Sequence, residues 1–405
     1  MRGVLPGRRA VRRPALAPAA RAARRGRPRR RGAARQLPRA DRLGARTHPR
    51  REARRRPVAE PLRRPAHVLR HREERTVKIP KILAAGLLVL GAAACGSSAA
   101  AGGSKTLRVG VIGTAVGNKL NRTVGFLDER GELLPELKAA GIDKIQVATF
   151  QNGPDLNQAL AGGSLDIGIY GDTPALIGHG QGLPTRLVSL NSIRLDAAIV
   201  AKKDGGPTSL KDLEGKRIGV QTGSYIHRYL LGALQQAGVR PKQIIHMYTP
   251  AIIAALEKNA IDAGGLVSAD QVAEEAKGYR SVDVASRDHP DLLGTSATVV
   301  TEKYLSGHKD IVKVWQRAES KATRVAKANW PAYTAYVART GGYAPQVTIK
   351  TTLREQLPDT PFPPEGLKLL DGTKGFLAGQ KLLKTDFPID SWLAPGARTA
   401  AGATP

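Results

Sequence analysis

From residue 107 onward, short apolar runs rich in Val and Ile alternate with longer stretches in which apolar residues recur every three or four positions. Leu107–Ile112, Ile145–Phe150, Leu165–Tyr170 and Arg186–Leu190 read as strands, with helices around 127–140, 154–162 and 173–180 between them. Strands separated by helices predict a parallel sheet, because a parallel pair needs a crossover long enough to carry a helix. A second series starts near Asp196. It has a strand at Ala197–Ala201, a helical turn and strand over Lys211–Val220, and a helix from Tyr225 to Ala237 that Gly238 stops. A strand at Ile244–Tyr248 and a helix over Ala251–Lys258 behind Pro250 complete it. Thr295–Thr301 is again β-rich and returns the chain to the first series. The remainder is helical: Lys309–Arg339, interrupted at Pro331, then Pro345–Gln356 and Pro363–Ala378. The pattern predicts an α/β protein of two lobes with lobe 1 discontinuous, 106–195 plus 295–405 forming lobe 1 and 196–294 lobe 2.

Charge changes the picture only at the start of the chain. The formal net charge is +30 over 405 residues, a value that suggests a nucleic-acid partner. Residues 1–76, however, hold 26 Arg, no Lys and five acidic residues, which is 26 − 5 = +21 and leaves +9 for the rest. This Arg, Pro, Ala and Gly segment has no periodicity and too little apolar surface to offset the entropy of ordering it. It reads as an untranslated or disordered extension, with translation starting at Val77, and no nucleic-acid partner is expected. Residues 77–95 (VKIPKILAAGLLVLGAAAC) then place Lys78 and Lys81 before an apolar run and small residues before Cys95. That is the layout of a secretory signal, and the run is shorter than the roughly 20 residues that span a bilayer. Leu90-Gly91-Ala92-Ala93-Ala94-Cys95 resembles a lipobox, so Cys95, the only cysteine, is expected to be lipidated. Residues 96–105 form a flexible tether. The expected location is the extracytoplasmic face of the cell membrane, held by the lipid.

Four segments after strands carry candidate chemistry, at the edge where open α/β sheets place ligands. Gly113–Asn118, with Thr114, is a loop open to close backbone approach. Gly171-Asp172-Thr173 precedes Pro174 and a helix, where Asp172 caps the helix or meets a ligand ammonium; the second role favours a zwitterion. Asn191 and Ser192 can donate to an anion, and Arg194 either grips it or forms a surface ion pair. Thr222-Gly223-Ser224-Tyr225 offers hydroxyls and backbone N–H groups at a helix start, an oxyanion cradle. His227 there reads as a packed or surface histidine. Catalytic signatures are absent: there is no Gly-x-Ser-x-Gly, no phosphate-binding Gly-Lys-Ser/Thr, and the eight His have no metal-ligand spacing. No enzyme, metal or cofactor is expected.

These residues resemble the periplasmic solute-binding proteins of the sulfonate/taurine/nitrate importer family. The likeness runs through Phe150–Pro154, Ala159–Gly168, Tyr170–Pro174, Asp212–Val220, Thr222–Ser224, Thr249–Leu256 and Ile261–Ala263. It implies a two-lobed clamshell that closes on a small anionic or zwitterionic solute and docks on an ABC permease with its ATPase. In taurine binders the stretch after Ile261-Asp262-Ala263 usually carries an aromatic residue and a proline; here it reads Gly264-Gly265-Leu266-Val267-Ser268-Ala269-Asp270, a departure from taurine itself. The expectation is binding of a small sulfonate or related anion, an aliphatic sulfonate or taurine, in the cleft between the lobes. The alternative is a thiamine-pyrimidine precursor or other small heterocycle, with Tyr170 and Tyr225 lining the cleft.

Overall fold

The computed structural model describes residues 105–113 and 116–400. The Arg-rich extension, the signal segment with Cys95, all of the tether but Lys105, and Thr114 lie outside the described residues.

The chain enters sheet A with β1 (Thr106–Ile112), whose buried Leu107, Val109 and Val111 alternate with less buried positions. It continues through α1 (Arg122–Glu129), β2 (Lys144–Phe150), α2 (Gly153–Ala161), β3 (Ile167–Gly171), α3 (Asp172–Gly180) and β4 (Thr185–Leu195). At Asp196 it crosses to sheet B with β5 (Ala197–Lys202), then β6 (Arg217–Val220), α4 (Tyr225–Ala237), β7 (Gln243–His246), α5 (Thr249–Glu257), β8 (Ala263–Val267), α6 (Ser268–Glu275) and β9 (Tyr279–Val284). It returns to sheet A with β10 (Gly294–Thr301) and closes with α7 (Ile311–Ala328), α8 (Trp330–Gly341), α9 (Pro345–Thr351) and α10 (Pro364–Gly379). The strand orders are β2-β1-β3-β10-β4 and β7-β6-β8-β5-β9. Within each sheet the crossing strand, β10 or β5, runs antiparallel to its neighbours and the strands joined by helices run parallel. The α/β two-lobed expectation with a discontinuous first lobe is borne out.

The apolar run Ala197–Ala201 shows why it carries no polar alternation. Ala197, Ile199 and Ala201 join one core cluster, Ala198 and Val200 a second, so β5 is buried on both faces. Lobe 1 has a larger core in which Trp315 of α7 and Trp392 are fully buried.

Three differences from the sequence reading have physical causes. Residues 190–194, read as a loop, are the second half of β4, which bulges against β10. The helix expected over 127–140 begins at Arg122 and breaks near Gly131, whose φ of +72° ends it. Strands β8 and β9 and helix α6 escaped prediction. In β8, Gly264 and Gly265 look like a turn, yet they are there for close approach: a Cβ on Gly264 would lie 2.3 Å from the Ile252 side chain. Gly264→Ala is accordingly expected to destabilise the protein by about 1–3 kcal/mol through overpacking, read as a lower urea midpoint. An unchanged midpoint would show that α5 shifts freely.

Candidate functional site

The C-terminal ends of β1 and β3 face those of β6 and β8, and the space between them forms the interlobe cleft. An outer chamber of about 790 Å³ adjoins an inner compartment of about 210 Å³. The two share a border that includes Gly113, Asn121, Arg122, Gln221 and Tyr225. Gly171 and Ser224 border the inner compartment, Tyr225 borders both, and Tyr170 lies beside Gly171 with its hydroxyl on Asn157.

Among the described residues two charged side chains, Arg122 and Asp196, line this space. Asp196 is already served: its Oδ1 accepts from the backbone N–H groups of Ala197 and Ser286 at 2.9 and 3.0 Å, and its Oδ2 from Ser286 Oγ at 2.6 Å. Arg122 is not. Its contact is a long one, Nη1 to Ser192 Oγ at 3.4 Å, and among the described residues no carboxylate pairs with it. Arg122 also has φ +53°, a left-handed backbone that costs a non-glycine residue of order 1 kcal/mol. Strain of this kind clusters where side chains must be aimed. The turn that α1 presents to the cleft has no side-chain cap, since Asn121 Nδ2 is turned to the Ile112 carbonyl at 3.0 Å.

The other helix starts are occupied from within. Asp172 is fully buried: Oδ1 takes the Thr173 N–H and hydroxyl at 2.5 and 2.9 Å, and Oδ2 the Thr295 N–H and hydroxyl at 2.7 and 3.1 Å. Asp172 and Thr173 therefore lie in the first turn of α3, bonded to each other and to β10, and do not border the cleft. Thr222 donates its N–H to His246 Nδ1 at 3.2 Å and sets its hydroxyl against the same nitrogen at 2.7 Å. Gly223 N–H goes to His227 Nδ1, and Ser224 Oγ accepts from His227 N–H. Thr222 and Gly223 line neither compartment, whereas Ser224, which caps α4, and Tyr225 border the inner one. His227 is a packed residue, and burial lowers its pKa. Asn191 donates to Thr298 Oγ1 inside lobe 1, Ser192 donates to the Gln356 carbonyl beneath Arg122, and Arg194 makes its surface ion pair with Glu365 at 3.3 Å. Arg122 is the residue the sequence reading missed; Asn121, a common helix start, was the available signal.

The two lobes are tied across the cleft by side chains. Asn152 donates to the Tyr248 hydroxyl at 2.7 Å and Gln221 to the Gln151 carbonyl at 2.9 Å. Tyr343, after α8, donates to Asp270 of α6 at 2.8 Å, and Thr249 holds the other Asp270 oxygen. Burial raises the Asp270 pKa, against the pull of these two donors. Tyr343→Phe is expected to loosen the closed arrangement by the roughly 1 kcal/mol of one hydrogen bond, seen as a larger radius of gyration in solution scattering. No change would mean that α9 packing on α6 holds the lobes by itself.

Comparison with known proteins agrees with this architecture. The NMT1/THI5-like family model matches residues 137–331. An Escherichia coli (strain K12) protein named as aliphatic sulfonates-binding is 31% identical over 46% of this chain and 55% of its own length. The taurine-binding periplasmic protein of the same organism is 32% identical over 44% of this chain and 57% of its own. The chain thus spans about half the length of the curated relatives it matches. The crystal structure of the periplasmic aliphatic sulphonate binding protein of Escherichia coli superposes with TM-score 0.57 at 20% identity, covering 73% of this chain and 99% of that one. A desulfurization enzyme shares the fold at TM-score 0.56 and 19% identity over 73% of this chain and 98% of its own, so the fold alone does not separate binding from catalysis. Over residues 137–331 the chain is NMT1/THI5-like in sequence, and over its described residues it carries the two-lobed fold of the periplasmic solute-binding proteins.

Proposed function

We propose that the protein is the extracytoplasmic solute-binding component of an ATP-driven importer and that it captures a small organic anion of the sulfonate class between its lobes. The observation that carries the reading is Arg122: an unpaired guanidinium on a strained backbone, at the border of both compartments of the cleft. A guanidinium presents donors in a planar fork that suits a tetrahedral or planar oxyanion. The uncapped start of α1 adds N–H dipoles of the same sign. The names of the sequence relatives point to the same solute class.

The site residues of this reading are Arg122, with Ser192 supporting it from beneath, and Gly113, Gly171, Ser224 and Tyr225 around the inner compartment. Closure about the two crossings then buries the anion, and the closed form is what a permease and its ATPase engage. Lipidation of Cys95 belongs to the same reading and keeps the binder at the membrane. The role is binding without chemistry.

The test is calorimetric titration with taurine, alkanesulfonates, an arylsulfonate, nitrate and a thiamine pyrimidine. Micromolar or tighter binding of a sulfonate, with none of the heterocycle, is expected. Binding of the heterocycle with silence from every anion overturns the reading.

A further inference from the structure

We infer that the solute carries a bulky apolar tail, an aryl group or an alkyl chain of six or more carbons, behind its anionic head, and that two-carbon sulfonates are poor ligands. The inference rests on the anion site proposed above and extends it to the outer chamber.

Size is the first argument. Arg122 stands where a compartment of about 210 Å³ meets a chamber of about 790 Å³. A head group held at Arg122 leaves the larger space to whatever is attached to it. Sites of roughly 300–1,000 Å³ hold ligands of drug size and bury most of their surface. A two-carbon zwitterion would leave this chamber filled with water, which liquid packs at about 30 Å³ per molecule.

The wall is the second argument. Tyr225, Tyr248 and Tyr343 all border the chamber, and the hydroxyl of each is already committed to a protein acceptor or donor: Tyr225 to the Asp196 carbonyl at 3.3 Å, Tyr248 to Asn152 at 2.7 Å, Tyr343 to Asp270 at 2.8 Å. Tyr225 and Tyr343, as donors, offer a solute ring surface held at fixed positions, and Tyr248, as an acceptor, offers its ring together with its own O–H. Val337 and Leu357 extend the apolar wall. On the facing side the chain has Val267, Ser268 and Ala269, all of modest size, which keeps the chamber open. Among the described residues no cation other than Arg122 lines it, so the far end is unsuited to a second anionic group.

The experiment is a chain-length series, methane- to octanesulfonate with benzene- and naphthalenesulfonate, titrated calorimetrically into the protein. Each methylene buried in the chamber is expected to tighten binding about fourfold. Octanesulfonate and naphthalenesulfonate should therefore exceed methanesulfonate and taurine by at least 100-fold. Ala269→Phe, which occupies the chamber, should lower the octane-to-methane affinity ratio at least tenfold. Affinity that is flat or declining beyond ethanesulfonate overturns the tail inference while leaving the anion site standing. Absence of binding by any sulfonate overturns the proposed function and this inference together. If the Ala269 variant proves unstable, Ser268→Leu at the same wall supplies the second reading of the ratio.

Discussion

Replacing Arg122 with alanine is expected to weaken octanesulfonate binding by about 10- to 100-fold, the loss of a hydrogen-bonded charge worth roughly 1.5–3 kcal/mol. Arg122→Lys should recover part of the loss, since an ammonium supplies the charge without the fork. The decisive companion is Arg122→Gly. The native residue sits at φ +53°, so glycine relieves the backbone while removing the guanidinium. Thermal stability should rise by about 1 kcal/mol as affinity falls. No other single change considered for this protein is expected to move stability and binding in opposite directions. Unchanged affinity in Arg122→Ala would place the anionic head elsewhere in the cleft.

Asp172→Ala should cost about 3–5 kcal/mol of folding stability, among the largest effects available to a single residue here. The carboxylate is wholly buried, and besides Thr173 and Thr295 it accepts from Thr373 of α10 at 3.4 Å. It therefore joins the start of α3, the start of the return strand β10 and a C-terminal helix. Arg228 of α4, also buried, donates to the Leu293 carbonyl at 3.0 Å; burial lowers its pKa and the Asp172 charge works against that shift. Removing the acid leaves this guanidinium without its compensating field and five donors without this acceptor. Urea unfolding measures the loss, and a change below about 1 kcal/mol would show that the network is not what holds the joint.

How much of this was legible in the sequence depends on which interactions are local. Helix α4 was readable to the residue because Ser224 caps one end and Gly238, at φ +63°, stops the other. The return strand was readable because Thr295–Thr301 is β-branched and follows a polar stretch. Strand β8 was not, because its glycines exist for the side chains of α5, which lie elsewhere in the chain. The candidate site is harder to read for a related reason. Thr222, Ser224 and Asp172 have the residue types of an anion cradle, and the same types cap helices. Only the positions of His246, His227 and Thr295 decide which role each oxygen plays, and those partners are between 3 and 123 residues away. Arg122 was hidden by its backbone, since no local pattern announces a left-handed arginine.

The strand order has a consequence for how this chain is made. In sheet A, β4 is joined to the rest only through β10, which lies between it and β3. Residues 196–293 must therefore emerge before the strand that completes the first lobe exists. Until then β3 and β4 each present an unpaired edge, the kind of surface that pairs with other chains. Sheet B has no such debt, since all five of its strands come from one uninterrupted stretch. During synthesis the middle of the protein can reach its native form while its beginning waits, and the waiting segment is where holdase protection would matter most.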